Sequence, residues 1–251
     1  MPELLDRLIA MDRGGVAPNN GPMRPEQVKA LVSMRMNTDD SMWVVPELLE
    51  QDMYRIGWIR EQLPPGPCAV LDCGAHIGVF ALLAAKCLPQ SQVHAFEPQP
   101  DSFRLLAINA SQANGRITPL PKALGTEPSS MPLYKVGSDT DGFTGRWTLS
   151  PDPEGEAVKE KVMVEVISFT EYFDRIAEPI GIVKFDLEGF EARILAQLSD
   201  TQLRRIRVLI IEEHHFPIDH PRIKSLGFEL AFHPVNSKRH FVYLNKAWSG
   251  K

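Results

Sequence analysis

The stretch Cys68–Ala84, which reads CAVLDCGAHIGVFALLA, joins a short apolar run to an apolar helix through a turn that contains glycine. The run is closed by a polar residue, which is typical of an interior strand of a parallel sheet. The residues from Gly78 onward continue as a helix that ends before Pro89. A strand, a glycine turn and a helix form the first unit of a doubly wound sheet, whose ligands bind at the carboxyl ends of the strands. We therefore expect Asp72 at the rim of a nucleotide-sized site.

The spacing of the glycines distinguishes two classes of nucleotide cofactor. A dinucleotide site is typically G-x-G-x-x-G, with a diphosphate at the helix N-terminus. This chain instead has Asp72, Gly74 and Gly78, with a carboxylate where the first glycine would lie. A carboxylate repels a diphosphate and attracts a cation. The pattern favours S-adenosylmethionine (SAM), which carries an ammonium and a sulfonium; a dinucleotide, or an acid that only caps the helix, are the alternatives.

Composition narrows the class of protein without indicating a reaction. The 251 residues are 43% hydrophobic and 24% charged, enough for one globular domain with an extension. A net charge of -5 and a pI near 5.8 disfavour a nucleic-acid partner. No stretch has the length and apolarity of a membrane span, so we expect a soluble, cytoplasmic protein without a membrane partner. The cysteines are three in number and lack paired spacing, which argues against disulfides and a zinc site.

The first 63 residues are predicted to form a helical extension that folds over the crevice, and residues 64–251 the main domain. Pro25 and Pro46 are each placed to open a helix as its first residue. Trp43, Tyr54 and Trp58 are candidate substrate-binding residues of this extension. Aromatic residues at helical spacing are also ordinary packing residues, so both interpretations stay open.

A second acid follows the second predicted strand. Glu97 comes 25 residues after Asp72 and directly after an apolar run. An acid at this place accepts hydrogen bonds from ribose hydroxyls in nucleotide-binding folds; the alternative is an acid that caps the next helix. Ala123, within the segment that follows the third predicted strand, is expected at the edge of an adenine pocket.

The alternation of strands and helices breaks between about residues 126 and 168, which indicates an insertion. Residues 131–136 and 161–167 have strand-like patterns and are expected to pair as an antiparallel ribbon. The segment between them contains Phe143 and Trp147. It is interpreted either as a lid over the site or as a disordered excursion.

Two further acids end a buried strand at Asp186-Leu187-Glu188-Gly189. Carboxylates at this edge could orient the methionine ammonium, hold a divalent cation or act as a base. The plain alternative is that a helix N-terminus favours acids. We take Asp186 as a cofactor-binding and catalytic candidate and Glu188 as a catalytic candidate.

A histidine pair follows the strand that ends at Glu212. Because histidine titrates near neutral pH, His214 is the first candidate for a general base. His215 is the second candidate and a possible substrate contact, and solvated loop positions would explain both equally well. Asp186 with Glu212 or His214 would also offer Mg²⁺ suitable ligands, but no metal is assigned.

The segments VLDCGAHIGVF, HAFEPQPDSFRLLAINA and IVKFDLEGFEARIL together resemble the FkbM-type SAM-dependent methyltransferases. The resemblance spans about Cys68 to His214 and implies the class I, Rossmann-like three-layer sandwich of about seven strands with the last one antiparallel. It implies that the loop from Asp72 to Gly78, including Ala75 and His76, cradles the methionine part of SAM. It also implies that Glu97 holds the ribose. His76 departs from the asparagine that is usual in the family.

The resulting prediction is an O-methyltransferase that acts on a small molecule, such as a sugar or a secondary-metabolite hydroxyl. The acceptor oxygen would attack the SAM methyl group in line. Two alternatives remain: an enzyme that makes SAM cyclise or cleave and releases methylthioadenosine, and a SAM-binding module without catalysis. The acceptor and the oligomeric state are not predicted.

Overall fold

The computed structural model describes residues 53–63, 65–136, 146–150, 157–234 and 239–250. Most of the predicted N-terminal extension, including Trp43, lies outside these residues, so its boundary near residue 63 stays a prediction. The part that is described contributes one helix, α1 (Ile56–Gln62), whose Ile56 and Ile59 are completely buried.

The main sheet has seven strands in the order β10-β11-β9-β8-β1-β2-β3. Five neighbouring strands are parallel, and β11 is antiparallel to both β9 and β10. The prediction of about seven strands with the last one antiparallel is therefore confirmed. The strands are β1 (Ala69–Cys73), β2 (Gln92–Phe96), β3 (Ile117–Leu120), β8 (Ile180–Phe185), β9 (Ile206–Glu212), β10 (Phe228–Phe232) and β11 (His240–Asn245).

Helices cover both faces of the main sheet, which gives the expected three layers. Helices α1, α2 (Val79–Cys87) and α3 (Pro100–Ala110) pack on one face. Helices α4 (Phe169–Asp174), α5 (Glu191–Gln197), α6 (Asp200–Arg204) and α7 (His220–Ser225) pack on the other. Strand β1 is buried at every residue, as expected for a parallel strand between two helical layers. No helix among the described residues is both long and apolar enough to span a bilayer.

The predicted insertion forms a second sheet of four strands in the order β4-β7-β5-β6. These strands are β4 (Ala123–Gly125), β5 (Ser129–Val136), β6 (Arg146–Thr148) and β7 (Val158–Ser168). The expected antiparallel ribbon is the β5–β7 pair, which extends from Ser129 opposite Val166 to Val136 opposite Val158. The parallel β4–β7 pair was not expected, because β4 is too short to show a strand pattern.

Candidate active site

A cavity of about 290 Å³ lies across the carboxyl ends of the parallel strands. Its lining comes from the loop after β1, the ends of β2, β8 and β9, the segment after β3, the residues before α1 and the small sheet. The ends of parallel strands in a doubly wound sheet are the general ligand site of this architecture. The cavity thus brings together segments as far apart in sequence as Met53 and Glu212.

The loop after β1 requires glycine because it passes very close to the end of β8. Gly74 has a φ of 83°, and a Cβ at this position would lie 1.8 Å from the backbone oxygen of Asp186. Gly78 has a φ of 87°, and its Cβ would lie 2.6 Å from Leu106 Cδ1. His76 has a φ of 51°, a left-handed conformation that asparagine and histidine adopt more readily than most residues. The departure from asparagine at this position is therefore compatible with the backbone of the loop.

Glu97 connects this loop to the end of β2. Its Oε2 accepts a hydrogen bond of 2.8 Å from the backbone N–H of His76, and its Oε1 accepts one of 2.8 Å from that of Gln99. Burial raises the pKa of Glu97. The side chain nevertheless lines the cavity, together with Ala75, His76 and Ala123. A carboxylate oxygen has more than one lone pair, so Glu97 can accept further hydrogen bonds from a ligand.

Asp72 does not lie at the rim of the cavity, where it was expected. Its side chain is completely buried and is absent from the lining. Among the described residues, neither carboxylate oxygen has a hydrogen-bond partner, and Oδ1 lies 3.5 Å from Lys184 Nζ. Burial raises the pKa of Asp72 to about 6, although Lys184 acts in the opposite direction. Direct contact between Asp72 and a ligand in the cavity is therefore not supported by this arrangement.

Lys184 was missed in the sequence, yet it occupies the centre of the site. It lies beside Asp72 in the parallel register of β1 and β8, and its Nζ donates to Asp186 Oδ2 at 3.0 Å and to the Gly74 carbonyl oxygen at 3.3 Å. Burial alone lowers the pKa of Lys184, but Asp186 and Asp72 outweigh it and raise the pKa well above its ordinary value. Lys184 is thus a fixed cation in the cavity wall. The available signal was a lysine within the otherwise apolar strand β8.

Glu191 fixes the turn that follows β8. Its Oε1 accepts a hydrogen bond of 2.6 Å from the backbone N–H of Leu187, and its Oε2 accepts one of 3.0 Å from that of Gly189. The Glu188 carbonyl oxygen accepts a hydrogen bond of 2.7 Å from Thr148 Oγ1 of the small sheet. Glu188 itself has a φ of 51° and lines the cavity. The turn is therefore held from both sides, with Glu188 presented to the site.

His214 is surrounded by three glutamates. Its Nδ1 lies 2.9 Å from Glu191 Oε1, and its Nε2 lies 3.5 Å from Glu188 Oε2 and 3.5 Å from Glu212 Oε1. Burial lowers the pKa of His214, but the three carboxylates outweigh it and raise the pKa to about 11. A protonated imidazole has no lone pair to accept a proton, and His214 is absent from the cavity lining. This geometry therefore does not support the predicted role of His214 as general base.

Glu212 lines the cavity from the end of β9. Its Oε2 lies 2.8 Å from His240 Nε2. Burial raises the pKa of Glu212, but His214 and His240 outweigh it and hold the pKa well below its usual range. Ligand atoms of Asp186, Glu212 and His214 all lie within 4.8 Å of one another. The fit to Mg²⁺ is nevertheless poor, because Lys184 Nζ already lies 3.0 Å from Asp186 Oδ2 and His214, one of the three groups, has a pKa raised to about 11 and so no free lone pair.

The four predicted substrate-binding residues have different positions. Tyr54 lines the cavity, is 3% exposed and packs edge-on against Phe80, with ring centroids 5.4 Å apart. Trp58 packs against Phe232 at 5.4 Å and is not a lining residue. His215 has its ring centroid 6.3 Å from that of His214 and does not line the cavity either. Trp43 lies outside the described residues.

The small sheet supplies an apolar wall that the sequence left undecided. Trp147 belongs to β6, which pairs with β5, and it lines the cavity with Leu133 and Leu149. The predicted loop therefore contains a strand at this point. The interpretation of the rest of the loop as a lid concerns residues outside those described.

Similarity to known proteins places the chain in a methyltransferase family. Residues 72–234 match the family model described as the methyltransferase FkbM domain. The chain is 30% identical over 182 residues to the 31-O-demethyl-FK506 methyltransferase FkbM of Streptomyces tacrolimicus, covering 61% of this chain and 67% of that protein. It is 26% identical over 214 residues to the hexuronic acid methyltransferase AglP of Haloferax volcanii, covering 82% and 79%. Among solved structures, the N-terminal domain of human METTL16 is similar with a TM-score of 0.46 and 14% identity, covering 88% of this chain and 80% of that chain.

Proposed function

The chain belongs to the FkbM family of SAM-dependent methyltransferases, and from this premise we propose that it transfers a methyl group to a hydroxyl oxygen of a small molecule. The name of one relative specifies an O-linked methyl group on FK506, and another relative is named for a sugar acid. The observation that carries the proposal is the cavity in which the glycine loop, Glu97 and the carboxylates after β8 and β9 meet.

The residues of one end of the cavity suit SAM. We assign the ribose hydroxyls to Glu97, the methionine part to the loop of Gly74, Ala75 and His76, and the adenine edge to Ala123. These residues all line the cavity. Gly78 does not line it and contributes only through the backbone conformation of the loop. SAM, when bound, supplies an electrophilic methyl group. Asp72 acts on the site through its ion pair with Lys184 rather than by contact with a ligand.

Asp186 is the residue to which we assign the hydroxyl proton of the acceptor. It lines the cavity where the glycine loop meets the end of β8, and Lys184 orients its carboxylate through the contact to Oδ2. A positioned carboxylate can accept a proton as the oxygen attacks. His214 cannot do so while it is protonated, and its part is to hold Glu188, Glu191 and Glu212 in place.

The test combines binding with product analysis. Calorimetry should show that SAM and S-adenosylhomocysteine bind, and mass spectrometry after incubation with hydroxylated acceptors should show S-adenosylhomocysteine and a product heavier by one methylene. An Asp186→Asn variant should bind the cofactor and turn over at least about a hundredfold more slowly. Release of methylthioadenosine would indicate cleavage of SAM instead. Binding without consumption, across the acceptors, would indicate a binding module.

A further inference from the structure

The part of the site next to β8 and β9 contains more carboxylates than cations. Around this end, the described residues supply five carboxylates against the Lys184 ammonium and the His214 imidazolium, and His240 Nε2 lies 2.8 Å from Glu212 Oε2. The carboxylates belong to Asp72, Asp186, Glu188, Glu191 and Glu212. The excess of negative charge is a property of the whole cluster, because Lys184 is shared between two carboxylates and His214 among three.

The fully buried part of this cluster is fixed in position and balances its own charge, with two carboxylates against two cations. The side chains of Asp72, Glu191, Lys184 and His214 are each at most 5% exposed. Glu191 is held by two backbone N–H groups of the turn after β8. Buried charges are screened by salt much less than exposed ones. The excess therefore lies on Asp186, Glu188 and Glu212, whose side chains are 28%, 27% and 23% exposed and line the cavity, so a ligand at this end meets a negative potential that solvent screens only in part.

The same end has an apolar wall. Four apolar or aromatic residues line the cavity together with Asp186, Glu188 and Glu212: Trp147 of the small sheet, Leu149 just after it, Phe190 of the turn and Tyr54. Aromatic side chains offer a flat apolar surface to the C–H face of a ring, and carboxylates accept hydrogen bonds from hydroxyl groups. The lining is thus suited to a hydroxylated ring that does not itself carry a negative charge.

Resting on the methyltransferase function proposed above, we propose that the acceptor is an uncharged or cationic hydroxylated ring compound, and that acceptors bearing a carboxylate are rejected. The cofactor end is occupied by the loop of residues 74–76 and by Glu97, so the acceptor is left with the end beside Glu188 and Glu212. An acceptor carboxylate there would face like charges in a partly desolvated cavity. The hexuronic acid named for one relative is accordingly not the substrate of this chain.

The experiment separates a small-molecule extract into anionic, neutral and cationic pools by ion exchange. Each pool, at equal total hydroxyl concentration, is incubated with the purified protein and SAM labelled in its methyl group. Each pool is also incubated with the protein and S-adenosylhomocysteine, and the molecules that the protein retains on ultrafiltration are identified by mass spectrometry. We expect the neutral and cationic pools to take up at least about tenfold more label than the anionic pool, and the retained molecules to lack carboxylates.

Two variants make the assignment specific to the site. Glu188→Gln removes a charge from the cavity wall and should raise the anionic share of the label at least about threefold. Glu229→Gln removes the same charge from a surface pair with Lys246 and should leave the distribution unchanged. Label mainly in the anionic pool, or equal distributions for Glu188→Gln and the wild type, would overturn the inference while the methyltransferase function stands. No label in any pool, with SAM binding intact, would overturn the proposed function itself.

Discussion

Replacing Asp72 by asparagine should make the protein more stable at neutral pH while leaving its stability at acid pH nearly unchanged. Asp72 is completely buried beneath the glycine loop, and its carboxylate oxygens have no hydrogen-bond partner among the described residues. Burial is the main reason that its pKa rises from 3.8 to about 6, against the attraction of Lys184. The ionised form is therefore less favourable in the folded chain than in the unfolded chain.

The size of the effect follows from linkage between protonation and folding. Between about pH 4 and pH 6 the folded state keeps a proton on Asp72 that the unfolded state has lost, so the free energy of unfolding falls as the pH rises. The unfavourable contribution is absent below pH 3.8 and complete above about pH 6. At about 1.4 kcal/mol per pH unit, the rise in pKa corresponds to about 3 kcal/mol. Asparagine has nearly the same shape and does not titrate.

Urea unfolding followed by circular dichroism at pH 4 and pH 7 tests this. The stability of Asp72→Asn relative to the wild type should increase by about 2.5 kcal/mol between the two pH values, because all other titrating groups are common to both proteins. Glu229→Gln, which alters an exposed carboxylate on β10, should show no such change. If the difference between Asp72→Asn and the wild type were the same at both pH values, the burial argument for Asp72 would be refuted.

Three other substitutions test the site. Lys184→Met should lower the free energy of unfolding by about 3–5 kcal/mol in urea titrations, because it leaves buried carboxylates without their cation; a stability equal to that of the wild type would contradict the ion-pair geometry. Gly74→Ala should abolish SAM binding in calorimetry, since the new Cβ would lie 1.8 Å from the Asp186 backbone oxygen. Gly66→Ala should keep SAM binding, because Gly66 also has a positive φ, of 125°, but a Cβ there would have nothing within 4 Å. His214→Gln should lower the free energy of unfolding at pH 7, and this deficit should shrink as the pH rises toward 11. The raised pKa of His214 means that its stabilising contribution is complete below the unfolded pKa of 6.5 and is lost as the pH approaches about 11. A deficit that does not change between pH 7 and pH 10 would contradict the three-glutamate cluster.

The main sheet could be predicted because its signals are local. Four of the five parallel strands, all except β3, are short and mostly apolar runs that end at a polar residue or glycine, and the loop after β1 has glycines where the backbone has a positive φ. The antiparallel β11 follows from the alternation of residues 228–232 and 240–244 around a turn. Strand β4 was missed because three residues carry too little pattern.

The charge pairs of the site could not be predicted, because they depend on strand register and on turns far apart in sequence. Asp72 and Lys184 become neighbours only when β1 and β8 align. The sequence predicts His214 as a base because its sequence neighbours do not reveal that the carboxylates of Glu188 and Glu191 lie beside its imidazole in the fold. In the sequence it is a residue that titrates near neutral pH, and in the fold it is a cation among carboxylates.

These pairs also change the argument for a cationic ligand. The sequence attributes the preference to Asp72 alone, but that carboxylate lies behind the cavity wall and is paired with Lys184. A single neutralised acid would not distinguish SAM from a diphosphate. The preference is recovered at the level of the cluster, because Lys184 is shared with Asp186 and the remaining acids outnumber the cations. The electrostatic selection that the sequence suggested stays a prediction, and in the fold it would depend on the sum of charges over β1, β8 and β9, so that removing any one acid should weaken it without reversing its sign.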